Sequence, residues 1–179
     1  MILRNSTALD SQRLSDMFRP HIDGWPHETL RVHIRYGRSA PFSGACYYKD
    51  ARIHVNIGRR VRYPYRLVTH AARPTNAGSR WWREPLFLEV PDAYRLVLFV
   101  FLHEFYHWLV ACARRSPRQK EGRCDRFAVR ALVDEHGLKL RTAGGEPPAR
   151  HIWDFQDLVG FVSAARRSAS DATRRASSL

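Results

Sequence analysis

The chain has 179 residues, enough for one domain that buries its own core without disulfide staples. Hydrophobic residues make up 44% and charged residues 26%, ordinary globular usage that excludes a collagen-like, coiled-coil or wholly disordered chain. Lysine plus arginine is 30 against 17 for aspartate plus glutamate, a net charge of +13, and every cation but Lys49, Lys120 and Lys139 is arginine.

Residues 8–19 read as a short amphipathic helix, with Leu9, Leu14, Met17 and Phe18 on one face and Pro20 ending it. Leu30, Val32, Ile34 and Tyr36 alternate with Arg31, His33 and Arg35, the period of a strand with one face buried. Residues 45–48 and 52–57 flank Lys49-Asp50-Ala51 and read as a hairpin. A helix followed by an antiparallel meander is the expectation for the first third. Residues 58–85 hold Gly58, Pro64, Pro74, Gly78 and Pro85 among seven arginines, and read as a long irregular loop. Residues 86–90 can form one more strand.

Asp92 is placed to cap a helix from about Ala93 to Arg115. That helix is apolar almost all round, so it is either a buried central helix or a membrane span. His103, Glu104 and His107 at its middle would be costly in lipid, which favours a central core helix. Ser116-Pro117 breaks it, and a second helix is expected from about Arg118 to His136, stopped by Gly137. A last helix is expected over residues 152–165. Residues 1–165 therefore read as one α+β domain: an N-terminal helix, a small antiparallel sheet, and a central helix packed on a second one. Residues 166–179, rich in Arg, Ser and Ala, read as a disordered tail. Cys46, Cys112 and Cys124 fit no disulfide framework, and the N-terminus has no apolar leader segment. A reducing, cytoplasmic setting is the expectation.

The sharpest motif is His103-Glu104-Phe105-Tyr106-His107, an H-E-x-x-H. On a helix, residues four apart share a face, so both imidazoles can point at one metal ion. Two histidines and a glutamate in an apolar helix are expensive without such a partner. Glu104 is offset so that its carboxylate can reach a water there. Zinc suits two neutral imidazoles, a carboxylate and an open position. A third histidine ten residues after His103 would mark a metzincin, but Ala113 stands there. The next helix offers Glu121 and Asp125, one turn apart. Glu121 can complete the ligand set, and Asp125 can take the N–H of a ligand imidazole and fix its tautomer. Cys124 lies on nearly the same face and is the alternative ligand.

H-E-x-x-H followed on a second helix by E-x-x-x-D resembles the gluzincin metallopeptidases. The stretch from Glu121 to Leu132 is similar to the region carrying the third ligand in the ImmA/IrrE family, compact minigluzincins. That family has an N-terminal helix and a small antiparallel sheet before the motif helix. Cys124 stands where the family usually has a small residue, and Asp125 where it usually has Asn. Ser43-Gly-Ala-Cys46 and Arg52–Ile57 look loosely like the SprT-like metallopeptidases. The resemblance implies one zinc per chain, Glu104 as general base, and hydrolysis of a protein substrate.

An oxyanion donor is also needed, and Tyr63, His136 and His151 are candidates. An extended substrate peptide can add to a sheet edge, supplied by residues 52–57 or 86–90. The arginine excess suits phosphates and carboxylates, although a biased base composition gives the same excess. Arg59, Arg60, Arg62 and Arg66, interleaved with aromatic residues, suit nucleic-acid contact; a solvated loop with Trp81 and Trp82 tucked into the core is the plainer alternative. Two function classes follow. One is a zinc peptidase acting on a protein substrate, such as a DNA-bound protein or transcriptional regulator, with no membrane involved. The other is a basic nucleic-acid-binding protein with a structural zinc site.

Overall fold

The computed structural model describes residues 1–77, 80–113, 121–155 and 160. The fold is α+β. Strand β1 (Ile2–Asn5) leads into helix α1 (Ser11–Ile22) and then into β2 (Arg31–Gly37), β3 (Phe42–Tyr47) and β4 (Arg52–Gly58). These strands form a four-stranded sheet in the order β1-β2-β4-β3.

The sheet is mixed, which corrects the antiparallel expectation. The β3–β4 hairpin is antiparallel, but β2 pairs in parallel with both β1 and β4. The reason is α1. It carries the chain back across the sheet, so β2 starts at the same end as β1, as a parallel pair requires. Pro20 does not end α1 but lies inside it. One backbone hydrogen bond is lost there, yet Phe18 stacks on Phe101 with ring centroids 4.1 Å apart, and His21 and Ile22 are buried beyond the proline. Tertiary burial outweighs the local penalty.

Residues 58–85 are not one irregular loop. They contain β5 (Tyr65–Thr69), β6 (Thr75–Ala77) and β7 (Arg80–Trp82). Strand β8 (Leu86–Val90) falls where its composition placed it, but it joins β5 and β9 (Leu140–Arg141) in a separate antiparallel sheet. The short β6–β7 ribbon stands apart.

Helix α2 (Ala93–Cys112) is the centre of the core. Asp92 caps it, accepting the N–H of Arg95 at 2.8 Å. Among the described residues it is the one helix long and apolar enough to cross a membrane, and most of it is buried within the fold. One face meets the inner side of the first sheet, and helix α3 (Glu121–Asp134) packs against it as well. Full burial of a side chain such as Phe101, Leu102 or Phe105 is worth about 2 kcal/mol. Beyond α3, Gly137 takes a left-handed backbone (φ 67°). That turn lets the N–H groups of Gly137 and Leu138 reach back to the carbonyls of Val133 and Leu132. Helix α4 (Arg150–Trp153) is one turn long. The helix expected at 152–165 instead begins at Arg150 and ends at Trp153, where Asp154 turns extended; residues 156–159, those from 161 on including the expected tail, and the Ser116-Pro117 break lie outside the described residues.

Candidate metal centre

The packing of α2 on α3 brings His103, His107, Glu121 and Asp125 together. The two imidazoles lie one helical turn apart, ring centroids 5.2 Å from each other. The Glu121 carboxylate spans them. One oxygen is 3.0 Å from His103 Nε2 and the other 3.3 Å from His107 Nε2. The opposite nitrogen of His103, Nδ1, is 2.7 Å from Asp125 Oδ1. Asp125 is itself held from the far side, accepting the backbone N–H of His70 at 2.5 Å.

This arrangement calls for positive charge. A neutral imidazole carries one N–H. If His103 donates it from Nδ1 to Asp125, its Nε2 lone pair faces a carboxylate oxygen at 3.0 Å, which is repulsive. In the metal-free chain a second proton resolves the conflict. Burial opposes charge on His103, but the hydrogen bonds it donates to Asp125 and Glu121 outweigh it and raise its pKa to about 10. The His103 hydrogen bond in turn holds the Glu121 carboxyl below its ordinary value. A metal cation between the imidazoles and Glu121 satisfies the same groups with no second proton, so the donor set fits a metal.

Cys124 is the other candidate. His103, His107 and Cys124 place their ligand atoms within 4.8 Å of one another, a group that can hold one metal ion. The thiol is fully buried, and burial pushes its pKa far up, with the charges of Glu121, Asp125 and Glu104 adding to the effect. A thiol must lose its proton to bind a metal. Glu121 needs no such loss, because its carboxyl is held below the ordinary value and its oxygens already lie 3.0 and 3.3 Å from the two imidazoles.

Glu104 lines the same cleft, a cavity of about 320 Å³ bounded also by Phe42, Gly44, His70, His103 and Glu121. Burial raises its carboxyl to about 7, with His103 opposing and Glu121 adding. Gly44 makes room for it. A Cβ at Gly44 would lie 2.3 Å from Glu104 Oε1. Strand β3 thus crosses directly over the carboxylate. It is also the end strand of its sheet, so its outer edge is unpaired among the described residues. Residues 52–57 and 86–90 do not supply the free edge, because β4 and β8 each lie between two neighbours.

The expected oxyanion donors are not brought to this cleft. Tyr63 is half-buried in the field of Asp92, His136 packs against His21, and His151 is exposed on α4. His70 and Tyr48 stand nearer. His70 lines the cleft, and the Tyr48 hydroxyl is pushed up to about 12, first by burial and then by Cys46, Glu104, Cys124 and Glu121. No local motif marks either residue; the strand turns place them. The basic stretch lies elsewhere. Arg59, Arg60 and Arg62 join Arg38 in lining a separate cleft of about 710 Å³, while Arg66 lies over the Phe87 ring on the second sheet. Trp82 is not tucked into the core but 54% exposed. The chain matches no protein-family model, no curated protein and no solved structure.

Proposed function

We propose that this protein is a zinc-dependent peptidase that hydrolyses peptide bonds in a protein substrate. The observation that carries the reading is Glu104. It is a buried carboxylate in the same cleft as His103 and Glu121, under an open strand edge. A purely structural metal site has no use for a further buried carboxylate beside Glu121 and Asp125, which weighs against the nucleic-acid-binding alternative.

His103, His107 and Glu121 would hold the ion, and Asp125 would keep His103 in the Nδ1–H tautomer. Bound zinc would supply Lewis acidity, polarising the scissile carbonyl and acidifying water. Glu104, lining the cleft beside His103 and Glu121, takes a proton from the attacking water. It then hands that proton to the departing amine. The β3 edge aligns an extended peptide by main-chain hydrogen bonds, with Gly44 opposite the acting carboxylate. His70 or Tyr48 donates to the developing oxyanion. The pattern resembles the gluzincins, and a DNA-bound protein or a transcriptional regulator suits the chain's charge as substrate.

The test couples metal content to cleavage. Elemental analysis of chain purified without chelators is expected to show one zinc per molecule. Glu104→Gln should keep that zinc and reduce cleavage, including self-cleavage at high concentration, by at least about 100-fold. Wild-type protein without metal would overturn the reading. Zinc lost from Cys124→Ser but kept in Glu121→Ala would move the third ligand to the thiol.

A further inference from the structure

The outer face of the first sheet has a composition that neither the core nor the metal centre explains. Strand pairing lays it out in rungs. Arg31 of β2 pairs with Arg52 of β4, and Arg52 with Tyr47 of β3. On the next rung Arg4 of β1 pairs with His33, and His33 with His54. Arg35 pairs with Asn56 on the third. Val32, Ile34, Ile53 and Val55 point the other way and are buried. No strand position on this face carries a carboxylate; the nearest acid, Asp50, lies in the β3–β4 turn against Arg52.

The rings form a ladder across the strands. The Arg52 guanidinium lies 4.7 Å from the Tyr47 ring centroid, Tyr47 is 4.9 Å from His54, and His54 stacks on His33 at 5.3 Å. Tyr47 remains 41% exposed at the edge of the ladder. Arg35 donates to His54 Nδ1 at 3.0 Å, which places the His54 proton on Nε2. That buried N–H has no partner among the described residues. At the far end of β2 and β4, Arg38, Arg59 and Arg60 extend the positive charge around the separate cleft.

From this face we infer a binding site for single-stranded nucleic acid. Four arginines across three strands supply the phosphate contacts, and an exposed ring at the end of a stacked ladder supplies a platform for a base. A broad open sheet suits splayed single strands, whereas a duplex offers only its backbone to such a surface. An anionic bilayer would want aliphatic anchors beside the cations, and among the described residues Ile2 is the one large exposed aliphatic side chain on these rungs. The site is independent of the metal centre, so either can fail without the other.

The test is fluorescence anisotropy with a labelled mixed-sequence strand of about 20 nucleotides, with the zinc content of the same protein recorded in parallel. Wild type is expected to bind the single strand more tightly than the matching duplex, and to weaken as salt rises. Combined Arg4→Gln, Arg31→Gln and Arg35→Gln should weaken binding at least about tenfold and shrink the salt slope by about 2. Tyr47→Ala should weaken it about fivefold or more, with Tyr47→Phe restoring it. Photo-cross-linking of an iodouridine strand to wild-type protein needs no variant to fold, and adducts at Tyr47 or His33 are expected. No binding at low salt, or no effect of these changes in folded protein, would overturn the inference. So would adducts confined to residues 59–62, or equal binding of anionic vesicles with the same sensitivity to Tyr47.

Discussion

Two pairs of histidines in this protein sit in opposite electrostatic settings. His103 and His107 face Glu121 and Asp125, and His103 is driven toward the charged form. His33 and His54 stack among Arg4, Arg31, Arg35 and Arg52, and both are held below their ordinary pKa, first by burial and then by cations: all four arginines for His33, Arg35 and Arg52 for His54. The residue type is the same, and the spacing of the rings is nearly the same. What differs is the sign of the neighbours. A carboxylate-ringed pair recruits a cation; an arginine-ringed pair stays neutral and leaves the positive charge to the guanidinium groups. Histidine proximity alone is therefore a poor sign of a metal site.

The largest effect should come from removing one imidazole of each pair. His103→Ala is expected to take the metal content from one per chain to none. His54→Ala should leave it unchanged. Elemental analysis of both variants measures the contrast directly, and equal loss from both would erase the distinction.

Gly44→Ala tests Glu104, the carboxylate in the cleft beside His103. The added methyl would collide with Glu104 Oε1, so the acid must swing away. A misplacement of about 1 Å in a catalytic group costs about 100-fold in rate. Cleavage should fall by that order while zinc stays bound. Loss of zinc together with activity would mean that the strand supports the ligands rather than the base.

Asp125→Asn probes the charge behind His103 with little change of shape. The amide can still meet His103 Nδ1, but it no longer favours the charged or metal-bound imidazole. Zinc affinity, read by competition with a chromogenic chelator, should drop by about 10- to 100-fold. No change would make Asp125 a purely structural anchor for the His70 backbone.

Much of the carboxylate-ringed pair was legible in sequence because its geometry is local. Positions 103, 104 and 107 share one helix, and 121 and 125 share the next, so a helical period suffices to align them. The Asp92 cap and strand β8 were legible for the same reason. Gly44, His70 and Tyr48 were not, because nothing near them in sequence refers to α2. The arginine-ringed pair was hidden more deeply. His33 and His54 become neighbours only when β2 pairs with β4 in parallel, and that pairing depends on a four-residue β1 strand and on a helix that continues through Pro20. Local periodicity found the strands and their buried faces but not their order. The basic outer face depends on that order.

The smallest effect is the most direct reading of the opposed signs. In metal-free protein, His103 titrates near 10 in the folded state against an ordinary value of 6.5. A raised pKa contributes stability that is complete below the unfolded value and is lost as pH climbs through the folded one. His33 and His54 have lowered values, so their contribution is present above 6.5 and is lost as pH falls through their folded pKa. Thermal midpoints of metal-free wild type should therefore decline on both sides of neutrality, for different reasons. His103→Ala should flatten the alkaline decline between about pH 7 and 10 and, by releasing the Glu121 carboxyl, alter the acid limb only below about pH 5. His54→Ala should flatten the acid limb below about pH 6.5 and leave the alkaline one alone. An alkaline decline that persists in His103→Ala would place the stabilising proton elsewhere. The carboxylate ring would then be an ordinary ion-pair cluster with no special hold on His103.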